Sequence, residues 1–156
     1  MDKQAQNNLI PVYLEVGRRR VFAGALDWPG WCRGGLDETS ALASLVDYAP
    51  RYAAVLKAAG LGFNAVTGVS SFALVERLPG NATTDFGAPD AVPASDALPM
   101  VGEELVRQQA ILDACWQAFA ASAAAAVGKE LRKGPRGGGR DLDWIRGTSW
   151  KGLAPT

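Results

Sequence analysis

The run Ala25-Leu-Asp-Trp-Pro-Gly-Trp-Cys-Arg-Gly-Gly-Leu-Asp-Glu-Thr-Ser-Ala-Leu42 constrains this chain more than any other segment. Pro29-Gly30 forces a turn. Asp37 supplies a side-chain acceptor for a helix N-terminus, and Glu38 falls in its positive first turn. A strand must therefore end, and a helix begin, inside one short stretch. Upstream, Val12-Tyr-Leu-Glu-Val and Val21-Phe-Ala-Gly-Ala-Leu flank Gly17-Arg-Arg-Arg, the pattern of two alternating strands around a tight hairpin loop. Downstream, Leu42, Leu45, Val46 and Ala49 recur at helical spacing and predict a face that packs on the hairpin. Pro50 cannot donate to the helical ladder and predicts a break or kink near Tyr48–Pro50, with Gly60 capping the helical stretch beyond it.

Val69-Ser-Ser-Phe-Ala-Leu-Val-Glu-Arg-Leu has the composition of a further strand, stopped by Pro79-Gly80. The fold expected of residues 1–80 is a small antiparallel sheet in the order β-β-α-β, placing the chain in the α+β class. Residues 81–99 are dominated by Ala, Asp, Pro, Thr and Gly and read as a linker. From residue 100 to 156 an Ala-rich helix and a Gly/Arg-rich tail are expected. Leu105, Leu112, Cys115, Trp116 and Phe119 form the stripe predicted to be covered by the α+β half or by a second copy. The ending from Asp143 lacks helical periodicity and reads as irregular.

Hydrophobic residues make up 48% of the 156 residues, enough for a real core. Sixteen basic residues balance sixteen acidic ones, so no global field draws the chain to nucleic acid or to an anionic membrane. No apolar run reaches the roughly 20 residues of a membrane span. The polar start is not that of a signal peptide, and a cytoplasmic chain is expected. Cys32 and Cys115 form no Cys-x-x-Cys pair and are expected to be reduced. There is no His, which removes imidazole-based catalysis and His-ligated metals. No cofactor, metal site or catalytic residue is expected.

The Asp27-Trp-Pro-Gly30 turn and Gly35-Leu-Asp-Glu-Thr-Ser-Ala-Leu42, set behind a hairpin, resemble the HicB-like antitoxin fold. That family's pattern is an acidic residue, an aromatic or apolar residue, Pro-Gly, then Gly-x-(Asp/Thr)-x-x-x-Ala-Leu. The Ala-rich helix followed by Leu131-Arg-Lys-Gly-Pro-Arg-Gly-Gly-Gly-Arg-Asp resembles the opening of a truncated DinB-like helical bundle. The whole chain, including Val75-Glu-Arg-Leu-Pro-Gly-Asn-Ala-Thr-Thr-Asp-Phe-Gly-Ala-Pro, resembles uncharacterised bacterial proteins that combine the two. The first resemblance implies a protein-interaction module. The second implies a relative of metal- and thiol-dependent transferases or hydrolases, whose metal-binding His residues have no counterpart here.

Candidate partner-binding residues are Arg18, Arg19 and Arg20 at the hairpin tip, with Trp28, Trp31 and Arg33 around the Pro-Gly turn. The arginines suit an acidic partner or simply solubilise a loop. Both indoles equally suit packing against the sheet or helix, as large aromatics beside Pro-Gly usually do. Cys32 beside Arg33 is a candidate for a lowered thiol pKa. Lys129, Arg132, Lys133, Arg136 and Arg140 can follow a phosphate backbone while Trp144 and Trp150 stack on bases, so nucleic-acid contact stands behind protein contact as an expectation.

Overall fold

The computed structural model describes residues 9–132, 139 and 141–150. Lys133, Arg136, Arg140 and the Trp150 side chain therefore lie outside the described residues. The chain is α+β and divides into two units, residues 1–112 and 113–156.

In the first unit, strands β1 (Ile10–Val16), β2 (Val21–Ala25), β3 (Cys32–Gly35) and β4 (Phe72–Pro79) form one sheet in the order β3-β2-β1-β4. The sheet is mixed, which corrects the antiparallel expectation: β1 pairs with β2 antiparallel but with β4 parallel. A parallel neighbour requires a crossover, and helix α1 (Glu38–Lys57) lies in that connection. The extra strand β3 is a four-residue Cys-Arg-Gly-Gly run with too little alternation to be read as a strand. It is produced by the Trp-Pro-Gly turn, which folds the chain back beside β2, where Gly24 pairs with Cys32 and Val21 with Gly35.

Helix α1 starts where the sequence places it. Asp37 accepts a hydrogen bond from the Ser40 N–H at 2.7 Å, and the Ser40 hydroxyl accepts from the Asp37 N–H at 3.1 Å. Gly35 lets this first turn lie against β3, since a Cβ there would meet Ser40 and the Ala41 backbone. The helix runs unbroken through Pro50, contrary to the expected kink. Pro50 is exposed, so its ring lies on the helix face away from the core. Ala49 and Tyr52 hold the chain on both sides of it against the sheet. The buried stripe is Ala41, Leu45, Ala49, Tyr52 and Leu56, with Leu42 only half-buried. It meets Val12, Leu14 and Ala23, which share the same sheet face by strand alternation and are all fully buried.

Residues 81–99 belong to this unit rather than joining it to another. They contain the short helix α2 (Ala82–Phe86), capped by Asn81 onto the Thr83 and Thr84 N–H groups, and a 3-10 turn at Ala94–Ala97. Helix α3 (Glu103–Ala125) crosses the boundary between units, and α4 (Leu142–Trp150) lies where irregular chain was expected. Asp141 accepts from the Trp144 N–H at 2.7 Å, an N-terminal acceptor that overrides the weak periodicity. In the second unit a cleft of about 430 Å³ opens between Phe119, Ala120 and Ala123 on α3 and Asp143 and Arg146 on α4. Among the described residues no helix is long and apolar enough to cross a membrane.

Leu45 is 0% exposed and Leu105 42% exposed. Leu45→Ala is expected to cost about 2–5 kcal/mol in denaturant unfolding and Leu105→Ala less than about 0.5. A separate expectation concerns Asp37, whose carboxyl is held below its ordinary range by the Ser40 N–H and hydroxyl. A depressed carboxyl stabilises the fold above its unfolded pKa and loses that contribution as pH falls through its folded value. Asp37→Ala should therefore lower Tm at pH 7, and the gap from wild type should close below about pH 4.

Candidate interaction surface

The Trp-Pro-Gly turn is an aromatic anchor turned inward. Gly30 takes φ +87°, and the Trp31 N–H reaches the Trp28 carbonyl at 3.2 Å. The Trp31 side chain passes under α1, where it is 2% exposed and its indole N–H donates to the Leu45 carbonyl at 2.9 Å. Its ring stacks on Tyr52 with centroids 5.9 Å apart, and the Tyr52 hydroxyl returns to the Pro29 carbonyl at 2.8 Å. Phe63 and Phe72 close the cluster edge-on. Trp31 is thus a core residue and not part of a partner surface.

Trp28 is half-buried and already engaged. The Arg107 guanidinium of α3 lies 4.2 Å from its ring centroid, while Arg107 Nη2 donates to the Asp27 carbonyl at 2.6 Å and Nη1 to Glu104 at 3.2 Å. This clip fixes the first turns of α3 beside the turn. Arg33 stacks its guanidinium 3.7 Å from the Tyr48 ring centroid, and its buried Nε has no partner among the described residues. Arg18, Arg19 and Arg20 are exposed at the hairpin tip, where the Arg19 N–H donates to Asp85 at 2.7 Å. The tip and the Trp-Pro-Gly turn sit at opposite ends of five-residue β2, separated by about 17 Å of strand. The six candidates do not form one site.

Cys32 is no activated thiol. Burial pushes its pKa up, against the smaller opposing pulls of the Tyr13 hydroxyl and Arg33. Among the described residues no group of three His, Cys, Asp or Glu could hold a metal ion.

The surface that sequence reasoning missed lies at the start of α3. Arg107, Ile111 and Ala114 are spaced on one helix face, and the last two are 2% and 3% exposed. That face is the fully buried one, while Cys115, Trp116 and Phe119 of the expected stripe are half-buried. Leu105 and Leu112, seven residues apart, stay outside. With Leu98, Met100, Val101 and Val106 they leave six large apolar side chains in solvent within fifteen residues. Asp96, Glu103 and Glu104 are exposed along the same run. No local signal marked it, since a single Arg four residues before Ile111 suits a solvated helix edge as well as a contact. Trp116 and Phe119, from the expected stripe, meet edge-on with centroids 5.7 Å apart.

Replacing Arg107 by Ala should destabilise the first unit by about 1–2 kcal/mol, combining a cation–π contact with a hydrogen bond. Trp28 emission should shift red, and amide exchange at residues 103–110 should quicken; unchanged exchange there would show that α3 is held by other contacts.

Comparison of the chain with protein-family models, with curated proteins and with solved structures finds no match.

Proposed function

We propose that the chain is a non-enzymatic protein-interaction module on a HicB-like α+β unit, and that it holds its partner on the exposed face at the start of α3. The observation that carries this reading is the run Leu98 to Leu112. Leu98, Val101 and Val106 are 71%, 72% and 66% exposed, where a monomer normally keeps such a cluster covered. The HicB-like part rests on the succession of hairpin, Trp-Pro-Gly turn and capped helix. A cytoplasmic setting accords with two unpaired cysteines.

Charge decides the kind of partner. Three carboxylates, Asp96, Glu103 and Glu104, accompany the apolar run; the cation nearest in sequence, Arg107, pairs with Glu104 and is tied to Trp28 and Asp27, which leaves an excess of two carboxylates. A twofold pairing of two copies across this face would oppose acidic rims, which costs affinity. An amphipathic segment with Leu-type anchors and Lys or Arg flanks has complementary chemistry. The other reading, a truncated DinB-like relative lacking its metal site, rests on the resemblance alone, and no described geometry favours it. Zinc or nickel retained near one equivalent through gel filtration would favour it instead.

Titration of the full chain with a synthetic Leu/Lys amphipathic helix should give saturable binding that weakens with salt. Combined Val101→Asp and Val106→Asp substitutions should weaken it at least about tenfold. A Leu/Glu helix should not bind. Equal binding of both peptides, or indifference to the substitutions, would overturn the proposal. A concentration-dependent dimer abolished by the same substitutions would assign the face to self-association.

A further inference from the structure

Strand alternation gives the sheet a second face. Tyr13 and Glu15 point away from α1, and the register sets Gly24 and Cys32 beside Tyr13, and Phe22 and Gly34 beside Glu15. Among the described residues no long helix covers this face. Residues 81–99 do, and they do so with little apolar surface of their own: Phe86, Val92 and Leu98 are 67%, 71% and 71% exposed.

The hold on this segment converges on one side chain. Glu15 is 0% exposed. Its Oε1 accepts from the Thr84 hydroxyl and from the Asp90 N–H at 3.0 Å, and its Oε2 accepts from the Asp90 and Ala91 N–H groups, each at 2.9 Å. Thr84 is likewise 0% exposed. The Ala94 N–H to Glu76 at 3.2 Å and the Arg19 N–H to Asp85 at 2.7 Å tie the segment at its periphery by single bonds. Beside this point the fit is incomplete. A cavity of about 190 Å³ remains, lined by Tyr13 and Cys32 from the sheet and by Ala91, Pro93 and Asp96 from the covering segment.

We propose that residues 81–99 are a separable cover latched by the Glu15 carboxylate, and that they lift as a unit from Tyr13, Phe22 and Cys32 while the hairpin and α1 stay folded. The hairpin and α1 survive because the core lies on their side of the sheet. Val12, Leu14, Leu45, Leu56 and Trp31 are on or under the α1 face, so loss of the cover removes none of their contacts with one another. The cover moves as a unit because its hold is concentrated: burial of one acceptor group decides whether several donors are satisfied or stranded. Lifting the cover exposes a carboxylate set between aromatic and thiol side chains, a face able to take a chain segment offering a hydroxyl and two consecutive N–H groups.

Cys32 reports the state of the cover. In the full chain with Cys115→Ser it is the sole thiol; it is half-buried behind the cover and burial raises its pKa, so its alkylation by iodoacetamide should be slower than that of a free thiol. Glu15→Gln keeps one acceptor oxygen for the Asp90 and Ala91 N–H groups but puts an amide donor where Oε1 accepted from Thr84 and Asp90. It should raise the Cys32 rate at least about tenfold, with cooperative thermal unfolding and the near-UV signal of the Trp31–Tyr52 stack retained. Thr84→Val removes one donor and should give a smaller rise. In the unsubstituted chain, amides 82–91 should exchange together and faster than those of β1 and β2. Unchanged alkylation in Glu15→Gln, or exchange of residues 82–91 at the β1 rate, would overturn the proposal. So would a rate increase accompanied by loss of cooperative unfolding, which would make Glu15 a support of the whole fold.

Discussion

The first unit depends on how Trp31 is held between sheet and helix. A buried indole brings a large apolar area and one N–H that must be satisfied, and the Leu45 carbonyl of α1 satisfies it. Stacking on Tyr52, whose hydroxyl bonds back to Pro29, closes a loop from turn to helix and back to turn. The distance and orientation of α1 over β2 and β1 are set by that loop. So is the outward position of Trp28, because a turn with Trp31 pinned inside must present its other indole at the rim. Arg107 then docks on Trp28, and this contact holds the first turns of α3 beside the turn.

The reverse face is built on a different principle. There the sheet is met by polar groups gathered on one carboxylate, and small residues make room for rings: a Cβ at Gly24 would collide with the Tyr13 ring, and one at Gly34 would crowd Phe22. Apolar packing spreads its stabilisation over many contacts and yields gradually. A buried carboxylate with several donors is all or nothing, since losing it strands each donor away from water. The two faces therefore differ in how they fail, and only the face toward α1 carries the bulk of the core.

Both edges of the sheet are built against strand addition. Strand β3 has only four residues. Strand β4 carries a register shift opposite Val12 and Tyr13, ends in Pro79, and places Arg77 in a bidentate pair with Glu38 of α1. Short length, irregular pairing, charge and proline each discourage strand addition. The densest run of exposed large apolar side chains lies at the start of α3.

Local chemistry decided the hairpin, the Pro-Gly turn, the Asp37 cap and the long helix, because each depends on residues within a few positions of one another. For that reason the α+β class and the α1 stripe around Leu45 were legible in the amino acids. The parallel pairing of β4, the role of Glu15 and the buried face of α3 were not. Alternation shows that Tyr13 and Glu15 share a face but cannot show that residues 82–91 fold over it, since Thr84 and Asp90 lie 69 and 75 positions from Glu15. Likewise Leu105 and Leu112 look like core by composition, yet both are exposed, and the docking of Arg107 on Trp28 spans 79 positions. Periodicity fixes which side chains share a face; which face is buried depends on what arrives from elsewhere in the chain, and tertiary structure alone decides that.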